Sequence, residues 1–328
     1  MKRYLGVILA AWLFVSNGCA GNDDNPTTEV GVQLTLLSDT PNPRLNRAGA
    51  LLRFSINEEQ LNPREIIVRY TPSDNEPVGA LILTSGGIGN GFYGIGYETN
   101  STINFAASRG LEIFEVSWAG DFGWGTDNAG FGYSLAMKGF TDLVKWLKEN
   151  RIASPELIIA SGGSGGAMQI AYGLTDHGLE ELIDHAILTA GPPAANLVEG
   201  IFGEPDDFAY WPDGLGGFRN TDYIMGWEGN GDYCVNRNQS PPSFVLDALE
   251  EASVVNGSFD KDFDYPNTHL YFVNTDDLTN ADSQARIYFE AVTSAKQWFY
   301  FEDETSHDVG GIEAGANLVR SILNEILR

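Results

Sequence analysis

Between residues 162 and 166 the chain reads Gly-Gly-Ser-Gly-Gly, directly after the apolar run LIIAS (157–161). Glycine inside a strand or helix costs about 0.5–1 kcal/mol relative to alanine, so four of them around Ser164 imply a local geometric demand. A G-x-S-x-G spacing at a strand-to-helix junction supplies one. The chain turns within very few residues, the serine is strained with its hydroxyl exposed, and side chains at the flanking positions would collide with neighbouring elements. Such a hydroxyl becomes a nucleophile when an imidazole removes its proton and a carboxylate orients that imidazole. The string alone arises easily in a chain with 38 glycines, so its meaning rests on the strand-to-helix context and on a base and an acid lying within reach.

The elements that must position these groups follow from periodicity. Strands are expected at ALLRFSI, REIIVRYT, GALILT (79–84), LEIFEVSW, LIIAS, HAILTA, HLYFV and KQWFYFE. Helices are expected near 103–108, over about 134–149, from the glycines onward, at SQARIYFEAVTS and at EAGANLVRSILNEIL. Strands alternating with helices imply a mostly parallel sheet covered on both faces. Residues 191–267 are irregular and too long for an ordinary loop, which implies an inserted cap with some helix of its own, such as FVLDALEEA.

Sheet direction then sorts the four histidines, because the reactive edge of a parallel sheet lies beyond the carboxyl ends of its strands. His185 and His269 begin their strands, and His177 ends a helix that runs back to the same opposite edge. His307, in FEDETSHDVGG, follows the end of a strand and is the candidate base. Asp276 and Asp277, in YFVNTDDLTNADSQAR, follow another strand; one would orient the imidazole while the other caps the turn.

The order Ser164, Asp277, His307 within these alternating elements resembles the α/β-hydrolase superfamily over about residues 50–328. The resemblance implies a mostly parallel eight-stranded sheet with helices on both faces and an inserted cap. Family members commonly read G-x-x-D in the acid loop. NTDD matches with Asn274 in the glycine position and Asp277 as the acid, Asp276 being the alternative. It further implies an oxyanion hole formed by the amide of Gly165 and one from SGGIGNGFYG, where SGG (85–87) stands in place of HGG. Gly87 is the first choice there and Ile88 the second.

Other patterns are weaker. Gly89, Gly91 and Gly94 satisfy G-x-G-x-x-G with Glu115 downstream, but SGGI separates them from their strand and Glu115 lies inside the next one, against a nicotinamide site. Asp260, Asp262 and Asp264 mimic the start of a calcium loop, yet Tyr265 and Tyr271 replace its glycine and glutamate, so no metal is expected. Trp118 and Trp124, in the loop following their strand, are candidates to line an apolar substrate pocket.

The composition is that of a globular chain, with 43% hydrophobic residues. A net charge of −26 argues against nucleic-acid or anionic-lipid partners and favours a small neutral substrate. The first 18 residues carry Lys2 and Arg3 and then an apolar run too short to span a bilayer, the pattern of an export signal. VSNGC resembles a lipoprotein signal with Cys19 as the lipidated residue, ordinary cleavage after GCA being the alternative. Residues 19–30 read as a polar tether and 31–328 as the hydrolase domain. Cys234 is then left without an intrachain disulfide partner. The sequence thus reads as an exported, cofactor-free serine hydrolase of carboxylic esters, with a peptidase of short peptides or a catalytically silent binding protein as the other readings.

Overall fold

The computed structural model describes residues 31–38, 48–57, 62–93, 96–126, 129–152, 157–204, 210–211, 217–255, 261, 263–275, 280–301 and 306–328. Its centre is one sheet of nine strands in the order β1-β2-β3-β5-β4-β6-β7-β8-β9. The first three, β1 (Gly31–Ser38), β2 (Ala50–Asn57) and β3 (Arg64–Thr71), run antiparallel to their neighbours, and β3 meets β5 (Leu111–Trp118) antiparallel. From β5 onward the sheet is parallel, through β4 (Gly79–Thr84), β6 (Ile158–Gly163), β7 (His185–Thr189), β8 (His269–Thr275) and β9 (Lys296–Phe301).

Nine strands correct the expected eight. The additional one is the edge strand GVQLTLLS, whose apolar residues at 32, 34 and 36 alternate with polar ones. Leu34 packs against the core while Leu37 is exposed. A half-buried edge strand needs only one apolar face, so its signal is shorter and weaker than that of a central strand.

Helices cover both faces. One face carries α2 (Gly132–Asn150), α3 (Gly165–Asp176) and α7 (Ala281–Ala291); the other carries α1 (Tyr97–Ser108) and α8 (Glu313–Ile326). Strand β4 shows why. All six of its residues are buried, with Ala80 and Ile82 facing the first cluster and Leu81 and Leu83 the second. Full burial of each such Leu or Ile contributes about 1.5–3 kcal/mol, and a strand apolar on both sides is stable only where helices cover both.

Residues between β7 and β8 form α4 (Leu197–Phe202), α5 (Gly217–Ile224) and α6 (Ser243–Ala252). Their buried side chains, including Leu197, Ile201, Ile224, Val245 and Leu249, belong to the same apolar cluster as α2 and α3. Tyrosines on the core helices also fasten this segment. The Tyr133 hydroxyl lies 2.7 Å from that of Thr221, and the Tyr172 hydroxyl donates to Ala252 O at 2.5 Å.

The chain leaves β4 through α1 to β5 on one side, then crosses back through α2 to β6 on the other. The strand order therefore reverses at β4, and the connections leaving β4 and β6 at the carboxyl edge go to opposite faces of the sheet.

Candidate active site

Ser164 occupies the single residue between β6 and α3, with φ 52° and ψ −116°. An L-residue at positive φ is strained, a conformation tolerated where surrounding contacts enforce it. Here those contacts are backbone bonds: the Ser164 N–H donates to Thr189 O at 2.9 Å, and Ser164 O accepts the Met168 N–H at 3.0 Å. The flanking glycines answer to space. A Cβ on Gly165 would stand 1.8 Å from Gly87 O, one on Gly166 would stand 2.3 Å from Thr84 Oγ1, and one on Gly162 would stand 2.6 Å from the Gly166 carbonyl carbon.

His307 lies beyond β9, in the turn before α8. Asp308 fixes that turn by accepting the Gly311 N–H at 3.1 Å, and Val309 anchors it in the core. Gly310 fits closely against the ring of Tyr93, whose hydroxyl ionisation burial pushes well above the usual tyrosine range. The imidazole Nε2 stands 2.7 Å from Ser164 Oγ, within hydrogen-bonding distance of the proton it would remove. Both residues are half-buried, so the pair is reachable from solvent.

The other three histidines lie elsewhere. A ring nitrogen of His177, at the end of α3, is 2.8 Å from Ser134 O, and burial lowers its pKa. His185 and His269 are register partners at the opposite edge, with the His269 ring stacked on Tyr271 at 4.5 Å. Burial depresses both. Asp276, Asp277 and Cys19 lie outside the described residues.

Gly87 reaches the Ser164 turn through its carbonyl, packed against Gly165. The Gly165 N–H opens α3 and therefore has no acceptor within that helix. Trp118 and Trp124 are buried, at 2% and 3% exposure. The Trp118 indole N–H donates to Gln169 Oε1 at 2.7 Å, and that of Trp124 points to Gly87 O at 3.4 Å. Arg64 lies beneath them, donating to Trp124 O at 3.0 Å and to Ala136 O, with its guanidinium 5.0 Å from the centroid of Trp118. Arg64 and Gln169 were not singled out from the sequence. For Gln169 the signal is a polar residue inside the apolar run AMQIAY, which marks a buried hydrogen-bonding role without naming its partner; Arg64, between Pro63 and Glu65, carries no such signal.

Glu115 is buried in mid-strand, and Arg69 on β3 grips both its carboxylate oxygens at 2.6 Å. That carboxylate is committed to a cross-strand pair. Among the described residues, no group of three or more His, Cys, Asp or Glu side chains could hold a metal ion.

No family model matches this sequence, and no curated protein matches it. Solved structures do. The acetyl xylan esterase from Paenibacillus sp. R4 superposes with a TM-score of 0.54 at 12% identity, over 90% of this chain and 89% of that one. Mouse alpha/beta hydrolase domain-containing protein 10 gives 0.52 at 13% identity, over 83% and 97%. Est1E from Butyrivibrio proteoclasticus gives 0.50 at 11%, over 84% and 97%. Together with the strand order, these establish the α/β-hydrolase fold. At such identities the likeness defines architecture, and the reaction must be argued from the site.

Proposed function

We propose that this chain is a serine hydrolase that cleaves carboxylic esters through an acyl-enzyme. The observation that carries this reading is the 2.7 Å approach of His307 Nε2 to a serine held at positive φ between a strand and a helix. As Ser164 Oγ attacks the ester carbonyl, its proton passes to His307 Nε2. The amides of Gly165 and Gly87 receive the developing oxyanion, and two such donors lower the barrier by about 3–4 kcal/mol each. The imidazolium returns its proton to the departing alkoxide as the ester C–O bond breaks. Water then attacks the acyl group, again with His307 as base, and Ser164 is regenerated. Asp277 orients the imidazole, with Asp276 as the alternative. Export behind residues 1–18 and a membrane tether through a lipidated Cys19 belong to the same proposal.

The test is turnover of p-nitrophenyl butyrate and covalent labelling by a fluorophosphonate. Ser164→Ala is expected to lower kcat by as much as about 10⁶-fold and abolish labelling, with an unchanged melting temperature. Retained turnover in the purified variant overturns the assignment. Wild-type protein that cleaves peptide anilides in preference to the ester points to a peptidase, and wild-type protein that never labels points to a binding role.

A further inference from the structure

The loop leaving β4 has four consecutive carbonyls, each held by a donor. Gly86 O accepts the Gly89 N–H at 3.1 Å and Gly89 O accepts the Trp118 N–H at 2.8 Å. Between them, Trp124 takes two: its main-chain N–H donates to Ile88 O at 3.1 Å and its indole N–H to Gly87 O at 3.4 Å. In a planar trans peptide, the carbonyl of one residue and the N–H of the next point to opposite sides. Fixing the Gly86 and Gly87 carbonyls therefore turns the N–H groups of Gly87 and Ile88 away from their holders. Neither amide donates to another described residue.

Trp124 is itself well held. Arg64 grips its carbonyl, and its ring lies 5.8 Å from that of Tyr133. Gly123 before it allows the close approach, since a Cβ there would stand 1.7 Å from Ile88 O and its φ is +49°. Gly89 completes the contact: a Cβ on it would press on Trp118 at 2.9 Å and Trp124 at 3.0 Å.

We propose that Trp124 is a positioning residue of the oxyanion hole: by holding the carbonyls of Gly87 and Ile88 it fixes the loop segment that carries the free Gly87 and Ile88 amides, with Gly87 O directly behind the Ile88 amide. This rests on the serine-hydrolase reading and concerns a side chain that touches the loop and not the reacting atoms. Donors preorganised toward a developing charge act on the transition state more than on the bound ester. Loss of the indole N–H should therefore appear in kcat and leave KM unchanged.

Trp124→Phe keeps an aromatic ring and the main-chain bond while removing the indole donor. It is expected to lower kcat for p-nitrophenyl butyrate about ten-fold at constant KM. The inhibition constant of a trifluoromethyl ketone, which forms a tetrahedral oxyanion on the serine, should rise by the same factor. A kcat equal to wild type, or a fall in kcat with an unchanged ketone constant, overturns the proposal. Should Trp124→Phe fold poorly, 3-benzothienylalanine at position 124 replaces the N–H by sulfur within the same bicycle, and the same two readouts apply. A Ser164→Ala protein that still turns over ester would instead sink the hydrolase reading, so the two failures are distinct.

Discussion

The two edges of the parallel sheet each bring a histidine into a close pairing, and the pairings differ in kind. At the carboxyl edge, His307 and Ser164 come from loops 143 positions apart and meet at 2.7 Å. At the amino edge, His185 and His269 are set side by side by the β7–β8 register, with ring centroids 6.2 Å apart. The first pairing depends on irregular backbone: a positive-φ serine, a glycine-rich turn and the Asp308-capped turn. The second follows from regular strand geometry, and its neighbours perform structural tasks. Asp184 Oδ2 accepts the Ile158 N–H at 2.7 Å, and Asp184 O accepts the His269 N–H at 2.9 Å, tying together the starts of β6, β7 and β8. Proximity of polar groups is common to both edges; strained backbone and uncommitted amides set apart the edge proposed to be reactive.

Substitutions can break this contrast. After Ser164→Ala, Gly165→Ala should have the largest effect, since the new methyl collides with Gly87 O and forces apart the two loops proposed to supply the oxyanion amides. A loss of about 10²–10³ in kcat is expected in p-nitrophenyl butyrate assays. Wild-type turnover in that variant would show that the two loops need not touch.

At the opposite edge the expectation reverses. Asp184→Ala removes a charged acceptor from a strand-start amide and should cost about 1.5–3 kcal/mol in urea unfolding, while kcat of the folded fraction is unchanged. A fall in kcat without loss of stability would erase the distinction between the edges.

The smallest effect is one of pH. Burial lowers the pKa of His177, His185 and His269 in the folded state, so the unfolded chain binds protons more readily. Their contribution to stability is present above the unfolded value of about 6.5 and is lost as pH falls from there toward the folded values. The double variant His185→Gln, His269→Gln should therefore lose less stability than wild type between pH 7.5 and pH 5, measured by urea midpoint, with unchanged ester turnover at pH 7.5. An identical pH dependence in the two proteins would remove these rings from the acid response.

Much of the scaffold was legible in the amino-acid order, for identifiable reasons. GALILT and LEIFEVSW read as strands with the observed ends because central strands buried on both faces are nearly uniform apolar runs. GVQLTLLS did not stand out, since an edge strand shows only alternation. Within the site, chain direction was enough to separate His307 from His177, His185 and His269. Trp118 and Trp124 were harder. Trp118 ends β5 and Trp124 lies in the turn after it, and no local pattern names the indole partners, Gln169 Oε1 and Gly87 O.

Residue order by itself determined which segments are buried on one face or two, which way each strand points, and hence which edge gathers Ser164 and His307. These are local properties, set by side-chain period and by the alternation of strand and helix. The tertiary structure alone decided the 2.7 Å approach, the contact of Gly165 with Gly87 and the double grip of Trp124 on its neighbouring loop. Each depends on the relative placement of segments tens of residues apart, which packing against a shared core settles and no local pattern encodes.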